Sequence, residues 1–449
     1  MELKIFRDTM PYAGTGCTVK AELPLETEVL ISDYLPPVFK LVKCFAKTVV
    51  LQKQLQPGRL TLEGYLRCTI FYQGEEGAGL CQTEQKLPFS RQLELPEFDF
   101  TAWTAVVEGQ TEYLNSRALT PRRIEVRGAV GLVVSVYAQN NTEVITALAE
   151  GGIQQQLRTL KGLRSTAVLD KLVTVQGELS FPQEPAAVLD ITGTAQVREV
   201  KLLSGKGVVK GELQVSCAWR AEGDTTLQCR TTVLGINQVL DIPGVTEDCR
   251  CLVVLEPIGF TLEQAGQDAP ASLTASVMLH LRSWREYQLQ YVSDAFSTKY
   301  ETTLSPRELA TQQLVCMLDD TVTVTGSGAL PDAGAQLRAC FVSYGPVQVT
   351  AQGEGCALTA HAVATAFVEN SLGELESYEK TLEVQMPLEP SVPPEQQLYP
   401  ECWLSTLDVR CSCSDGKLEV AITVRAEGAV FRQTAAQGID TIELGGELV

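Results

Sequence analysis

Three stretches of the chain alternate apolar and polar residues in the same way, and they lie at nearly equal spacing. In "LTLEGYLRCTIFYQ" (Leu60 to Gln73), Leu60, Leu62, Gly64, Leu66, Cys68, Ile70 and Tyr72 fall on one side of an extended chain, opposite Thr61, Glu63, Tyr65, Arg67 and Thr69. Strand side chains alternate with period two, so this reads as a strand with one dry face and one wet face. "VKGELQVSCAWR" repeats the pattern with Val209, Gly211, Leu213, Val215, Cys217 and Trp219, and "LTAHAVATAFVE" repeats it with Leu358, Ala360, Ala362, Ala364, Ala366 and Val368. From Gly64 to Gly211 is 147 residues, and from Gly211 to Ala360 is 149.

The flanks carry the same register. Upstream lie the alternating runs "GCTVKAELPL", "LVTVQGELSF" and "TVTVTGSGAL"; downstream lie "RRIEVRGAVGLVVSVY", "ASLTASVMLHLRSW" and "GKLEVAITVRAEGAVF". A period of this length is a whole domain and not a solenoid unit, so the expectation is tandem domains. The 449 residues divide accordingly. The spacing gives a first β domain over 1–145, a linker over 146–165, a second over 166–293, a linker over 294–314, and a third, degenerate one over 315–449 with a C-terminal tail. Runs of five to nine strand-forming residues, broken by turns such as "QPG", "SGKG" and "SDG", predict an all-β chain of three β-sandwich-like units. Helix formers in Thr142 to Leu163, broken at Gly151-Gly152, predict a short helix or turn pair in the first linker. Ser305-Pro306 has the residue types of a helix start in the second. Gly64 and Gly211, inside their strands, predict a bulge or a close backbone approach.

Composition narrows the function. Lys and Arg number 36 against 55 Asp and Glu, a formal charge of −19, which opposes a phosphate backbone as partner. Arg122, Arg123 and Arg127 read as a solvated strand face. No apolar run is long enough to span a bilayer, and the start "MELKIFRDTM" lacks the pattern of a secretory signal, so the expected place is the cytoplasm unless the chain has been trimmed. The 14 cysteines follow no framework, and Cys68 and Cys217 fall on dry strand faces, as small buried thiols would.

Reactive constellations are scarce. His280 and His361 are the two histidines, neither beside a nucleophile motif, and both read as surface or half-buried side chains. The pairs Cys249/Cys251 and Cys411/Cys413 each put two thiols on one side of a strand, but without a second pair at zinc spacing. "GEEGAG" and "GSG" lack the context of a phosphate loop. No catalytic, cofactor or metal residue is assigned, no cofactor is expected, and the chain reads as no enzyme. Converging ionisable side chains in a cleft would count against that reading.

The unit itself resembles a known family. Tyr34 to Glu76 ("YLPPVFKLVKCFAKTVVLQKQLQPGRLTLEGYLRCTIFYQGEE") and "QKLPFSRQLELP" (Gln85 to Pro96) are similar to the SPOCS domain of SipL-like spore coat assembly proteins of clostridia. The resemblance is carried by the prolines at the entry, the Pro57-Gly58 turn, "LEGYL", Phe71-Tyr72 and "PFSRQLELP"; the second copy repeats it in "GKGVVKGELQVSCAW" and "INQVLDIP". It implies a non-enzymatic morphogenetic protein of the endospore coat, at work in the mother-cell cytoplasm on the forespore surface. The implied partners are coat or morphogenetic proteins and possible copies of itself, with no nucleic acid and no membrane insertion. SipL-like proteins end in a LysM module, whereas this chain ends "FRQTAAQGIDTIELGGELV", which leaves the partner open. A glycan-binding or cell-wall-polymer-binding β protein is the alternative, and predicts aromatic side chains lined up on an exposed sheet.

Overall fold

The structure is a computed structural model, and it describes residues 3–75, 77–96, 102–150, 152–221, 227–263, 270–393 and 397–447. It is all-β, with no helix among those residues. The first run of strands is β1 (Lys4–Leu30), β2 (Val38–Gln56), β3 (Arg59–Gly74), β4 (Gly79–Glu94), β5 (Ala102–Thr120) and β6 (Arg123–Ala149). The second is β7 (Ile153–Leu179), β8 (Pro185–Leu203), β9 (Lys206–Ala221), β10 (Gln228–Asp241), β11 (Arg250–Glu263) and β12 (Ala271–Ser297). The third is β13 (Tyr300–Ala329), β14 (Gln336–Tyr344), β15 (Gln348–Gln352), β16 (Gly355–Glu369), β17 (Leu375–Pro387), β18 (Leu398–Ser414) and β19 (Lys417–Glu447).

Each run builds the same two antiparallel sheets. The orders are β1-β6-β5 and β2-β3-β4, then β7-β12-β11 and β8-β9-β10, then β13-β19-β18 and a sheet in which β14, β15 and β17 flank β16. The dry faces meet between the two sheets of each run. Leu60, Leu62, Cys68, Ile70 and Tyr72 lie against Ile124, Val126 and Val134; Leu213, Val215 and Leu273 occupy the second core; Leu358, Ala364 and Ile422 occupy the third. Burial of these stripes supplies most of the stability of each unit.

The copies match down to their irregularities. On β6, β12 and β19 the pairing skips Thr146, Ser293 and Asp440 at matching places, each 147 after the last. In β2 the ladder slips at Val38/Lys40, Leu41/Lys43 and Val50/Gln52, and in β8 at Pro185/Ala187, Val188/Asp190 and Val197/Glu199, again 147 later. In β14 the slip at Leu337/Ala339 follows the second copy by 149. The strand glycines sit at the last of these bulges: Gly64 pairs with Val50 and Gly211 with Val197. A Cβ on Gly64 would overlap the Val49 carbonyl, so this approach of backbone to backbone needs glycine. The third copy has Ala360 instead. Its partner strand parts there into β14 and β15 around Gly345-Pro346-Val347, where Pro346 also cannot donate to a ladder.

The expected helical linkers are strands. Thr142 to Ala149 continues β6 against the start of β1, and Ile153 to Leu163 opens β7, with Ile153 N donating to Glu150 O across the turn; Gly151 lies outside the described residues. Ile145, Leu148, Val292, Ala295, Ile439 and Ile442 form one cluster drawn from all three units, and that burial overrides the helix propensity. Ser305 and Pro306 lie in β13, at the bulge across from Asp440. As an outer strand with a slipped ladder, β13 tolerates proline. The tail pairs back onto β13 as far as Glu447. These long hairpins help explain an accessible surface of 22818 Å², against roughly 16,700 Å² for a compact monomer of this mass.

Candidate functional site at the meeting of the three units

The strands at one side of each sandwich, β2 and β5, β8 and β11, β14 and β18, turn toward one another around a cavity of about 2490 Å³. Side chains bridge the facing edges: Thr111 Oγ1 donates to Ala46 O at 3.0 Å, Lys53 Nζ to Ala105 O at 2.7 Å and Thr194 Oγ1 to Thr406 O at 2.9 Å.

Beside the cavity lies an aromatic cluster on what the sequence presents as a wet face. Phe71 packs on Phe341 (ring centres 4.6 Å apart) and Phe367 (4.9 Å), with Phe45 edge-on and Leu189 of the second unit alongside. Phe71 and Phe367 hold equivalent positions in their units, and Ala218 stands there in the second. The rings therefore come from units one and three.

Charge forms the other half of the junction. β2 carries Lys40, Lys43, Lys47 and Lys53 in a chain of −19. The slip at Leu41/Lys43 puts Lys40 and Lys43 on one face although they are three apart. Lys40 pairs with Glu374 (2.9 Å) and Lys43 with Glu379 (2.7 Å) of the third unit. Lys47 pairs with Glu256 (3.2 Å) and Lys53 with Asp170 of the second. Arg282 joins the second unit to Glu401 of the third at 2.6 Å.

His280 sits where these pairs meet, its side chain 18% exposed. Its Nδ1 is 2.8 Å from Asp170 Oδ1, its Nε2 is 3.5 Å from Glu256 Oε2, and its ring stacks on Trp403 at 5.2 Å. Burial disfavours the charged imidazole, but the two carboxylates outweigh it and hold the pKa above the ordinary histidine value. Burial likewise opposes ionisation of Asp170 and Glu256; His280 and the lysines prevail, holding Asp170 well below the carboxylate range and Glu256 down to about 2. Asp190, on the cavity wall, goes the other way: burial pushes it up to about 6 against the pull of Arg67.

Ionisable groups from distant segments thus do converge, which sequence reasoning did not anticipate. Their arrangement is that of a clasp. His280 lies between two carboxylates that favour its charged form, with Nδ1 against Asp170, which suits a bridging group better than a general base. The signal in the sequence was the lysine stripe of β2, unlike anything at the same positions of β8 or β14. His361 is exposed on β16. All fourteen cysteines are free thiols, Cys68 and Cys217 inside the cores. Among the described residues, no three or more His, Cys, Asp or Glu side chains gather as a metal site; Cys411 meets Cys340 of the facing sheet. Arg122 donates to Ser32 O (2.9 Å), while Arg123 and Arg127 pair with Glu28 and Glu26. Among the described residues no helix is long and apolar enough to cross a membrane.

Residues 37–119, from β2 to β5 and including the whole lysine stripe, match the family model of the SipL SPOCS domain. The chain carries a SPOCS domain. No curated protein matches it. The SPOCS match covers the part of the first unit that lines the cavity, and the strands equivalent to it run over β8 to β11 and β14 to β18.

Proposed function

We propose that the protein is a non-enzymatic, SipL-like morphogenetic protein of the endospore coat, working in the mother cell at the forespore surface through contacts with coat proteins. In this reading the chain is three tandem SPOCS-like modules, and the junction fixes them as one platform with a set arrangement of outer faces. The SPOCS match is the observation that carries it. The clasp supports it: the charged groups of the cavity that most suggest chemistry are engaged in holding the units together. The glycan-binding alternative has less support, since Trp219 and Trp284 are buried and Trp403 is stacked on His280.

A fluorescent fusion in sporulating cells tests the reading. The expected result is a shell of signal around the forespore and coat proteins in the purified complex. Diffuse signal, together with a normal coat after deletion of the gene, would contradict it.

A further inference from the structure

The outer strands β4, β10 and β17 occupy the same place in their units, since Phe89, Ile236 and Val384 lie opposite Gly64, Gly211 and Ala360. An outer strand of a sheet presents unpaired N–H and C=O groups, and charges or proline on it discourage further pairing. β4 carries Lys86 and Pro88, three and one residues before Phe89. β17 carries Glu383 one residue before Val384 and Pro387 three after it. At the corresponding places β10 has Val233, Gly235 and Val239. From Thr231 to Leu240 it has no charge and no proline, and it pairs with β9 without a register slip. Val233 and Val239 are 61% and 63% exposed.

We infer that β10 is a self-association edge whose occupant is β10 of a second copy of this chain, antiparallel about a two-fold axis at Ile236. In that register Val233 of each copy lies opposite Val239 of the other, so all four exposed valines meet in pairs on one face, and Gly235 lies opposite Asn237. The pairing is the same seen from either copy, as a closed two-fold contact requires. Pro88, at the position of Gly235, shows that β4 keeps its sheet without an N–H there. The N–H of Gly235 accordingly faces outward, free to donate to Asn237 of the partner strand. The two three-stranded sheets then become one sheet of six strands, by the strand addition that open edges support. The segment is nearly neutral, with Arg230 and Asp241 at its two ends. The net charge of each copy opposes the contact at long range, so salt strengthens it.

Sedimentation velocity of the full chain across a concentration and salt series tests this. The expected result is a reversible dimer, favoured by salt. Val233→Lys and Gly235→Pro import the guards of β4, and each weakens the dimer about tenfold or more. Leu372→Lys, at a side chain 83% exposed on the third unit, leaves it intact. Unchanged circular dichroism and thermal midpoint in Val233→Lys separate loss of pairing from loss of fold, and should that variant unfold, Val239→Lys serves in its place. A monomer at every soluble concentration, or a dimer that persists in both β10 variants, would overturn the inference.

Discussion

The three cores and the junction between them are built from the same strands by opposite rules. In the cores the copies agree: Leu62, Val209 and Leu358 lie at equivalent places inside their own sandwiches, and the bulges recur at fixed offsets. At the junction the copies differ. Phe71 and Phe367 stand where the second unit has Ala218, and only β2 carries the lysine stripe. One face of each strand makes the fold, and the other decides which unit sits against which. Three identical units have no preferred order, whereas a basic β2 facing acids on its two neighbours specifies one.

The largest expected effect breaks the junction at its rings. Phe71→Ala removes a ring 2% exposed, at a cost of about 4 kcal/mol. Leu62→Ala, inside one core, costs about 3 kcal/mol. The two differ in how the protein unfolds in urea. Leu62→Ala lowers the first unit, while Phe71→Ala splits one cooperative transition into several. A single transition in Phe71→Ala would mean the junction does not couple the units.

Gly64→Val, which pushes a side chain into the Val49 carbonyl, costs about 3 kcal/mol. Gly328→Val, a glycine whose Cβ meets nothing within 4 Å, stays near wild type in the same denaturation assay. Asp170→Asn leaves Lys53 and His280 without their shared carboxylate. Because these side chains are about a fifth to a quarter exposed, the loss is about 2 kcal/mol and not that of a fully buried pair.

The smallest effect is in pH. A histidine whose folded pKa is raised contributes stability that is fully present below its unfolded value, about 6.5, and is lost as pH rises through the folded value. Glu256 and Asp170, whose folded values are lowered, contribute above their unfolded values and lose that contribution in acid, for Glu256 as pH falls toward about 2. Thermal stability is therefore expected to decline as pH rises above about 6.5 and through the raised folded value of His280, and His280→Gln to flatten the decline. An unchanged slope in that variant would remove His280 from the clasp.

How much of this was legible follows from the same contrast. Period-two alternation picks out the dry faces of β3, β9 and β16 because burial in one sandwich acts on every second residue. The wet faces gave no such signal: Tyr65 and Arg67 read as an ordinary solvated side, and only a second unit laid against them makes them an interface. The segments around Leu148, Leu157 and Ser305-Pro306 were misread as helical for the same reason. Local propensity was visible there, and the partner strands that override it lie far away in sequence.

Zero-length carbodiimide cross-linking followed by peptide mass spectrometry tests the junction most directly, because it joins only amines and carboxylates already in contact. Links from Lys40 to Glu374, Lys43 to Glu379, Lys47 to Glu256 and Lys53 to Asp170 are predicted. Lysines of β2 that link only within the first unit would contradict the arrangement.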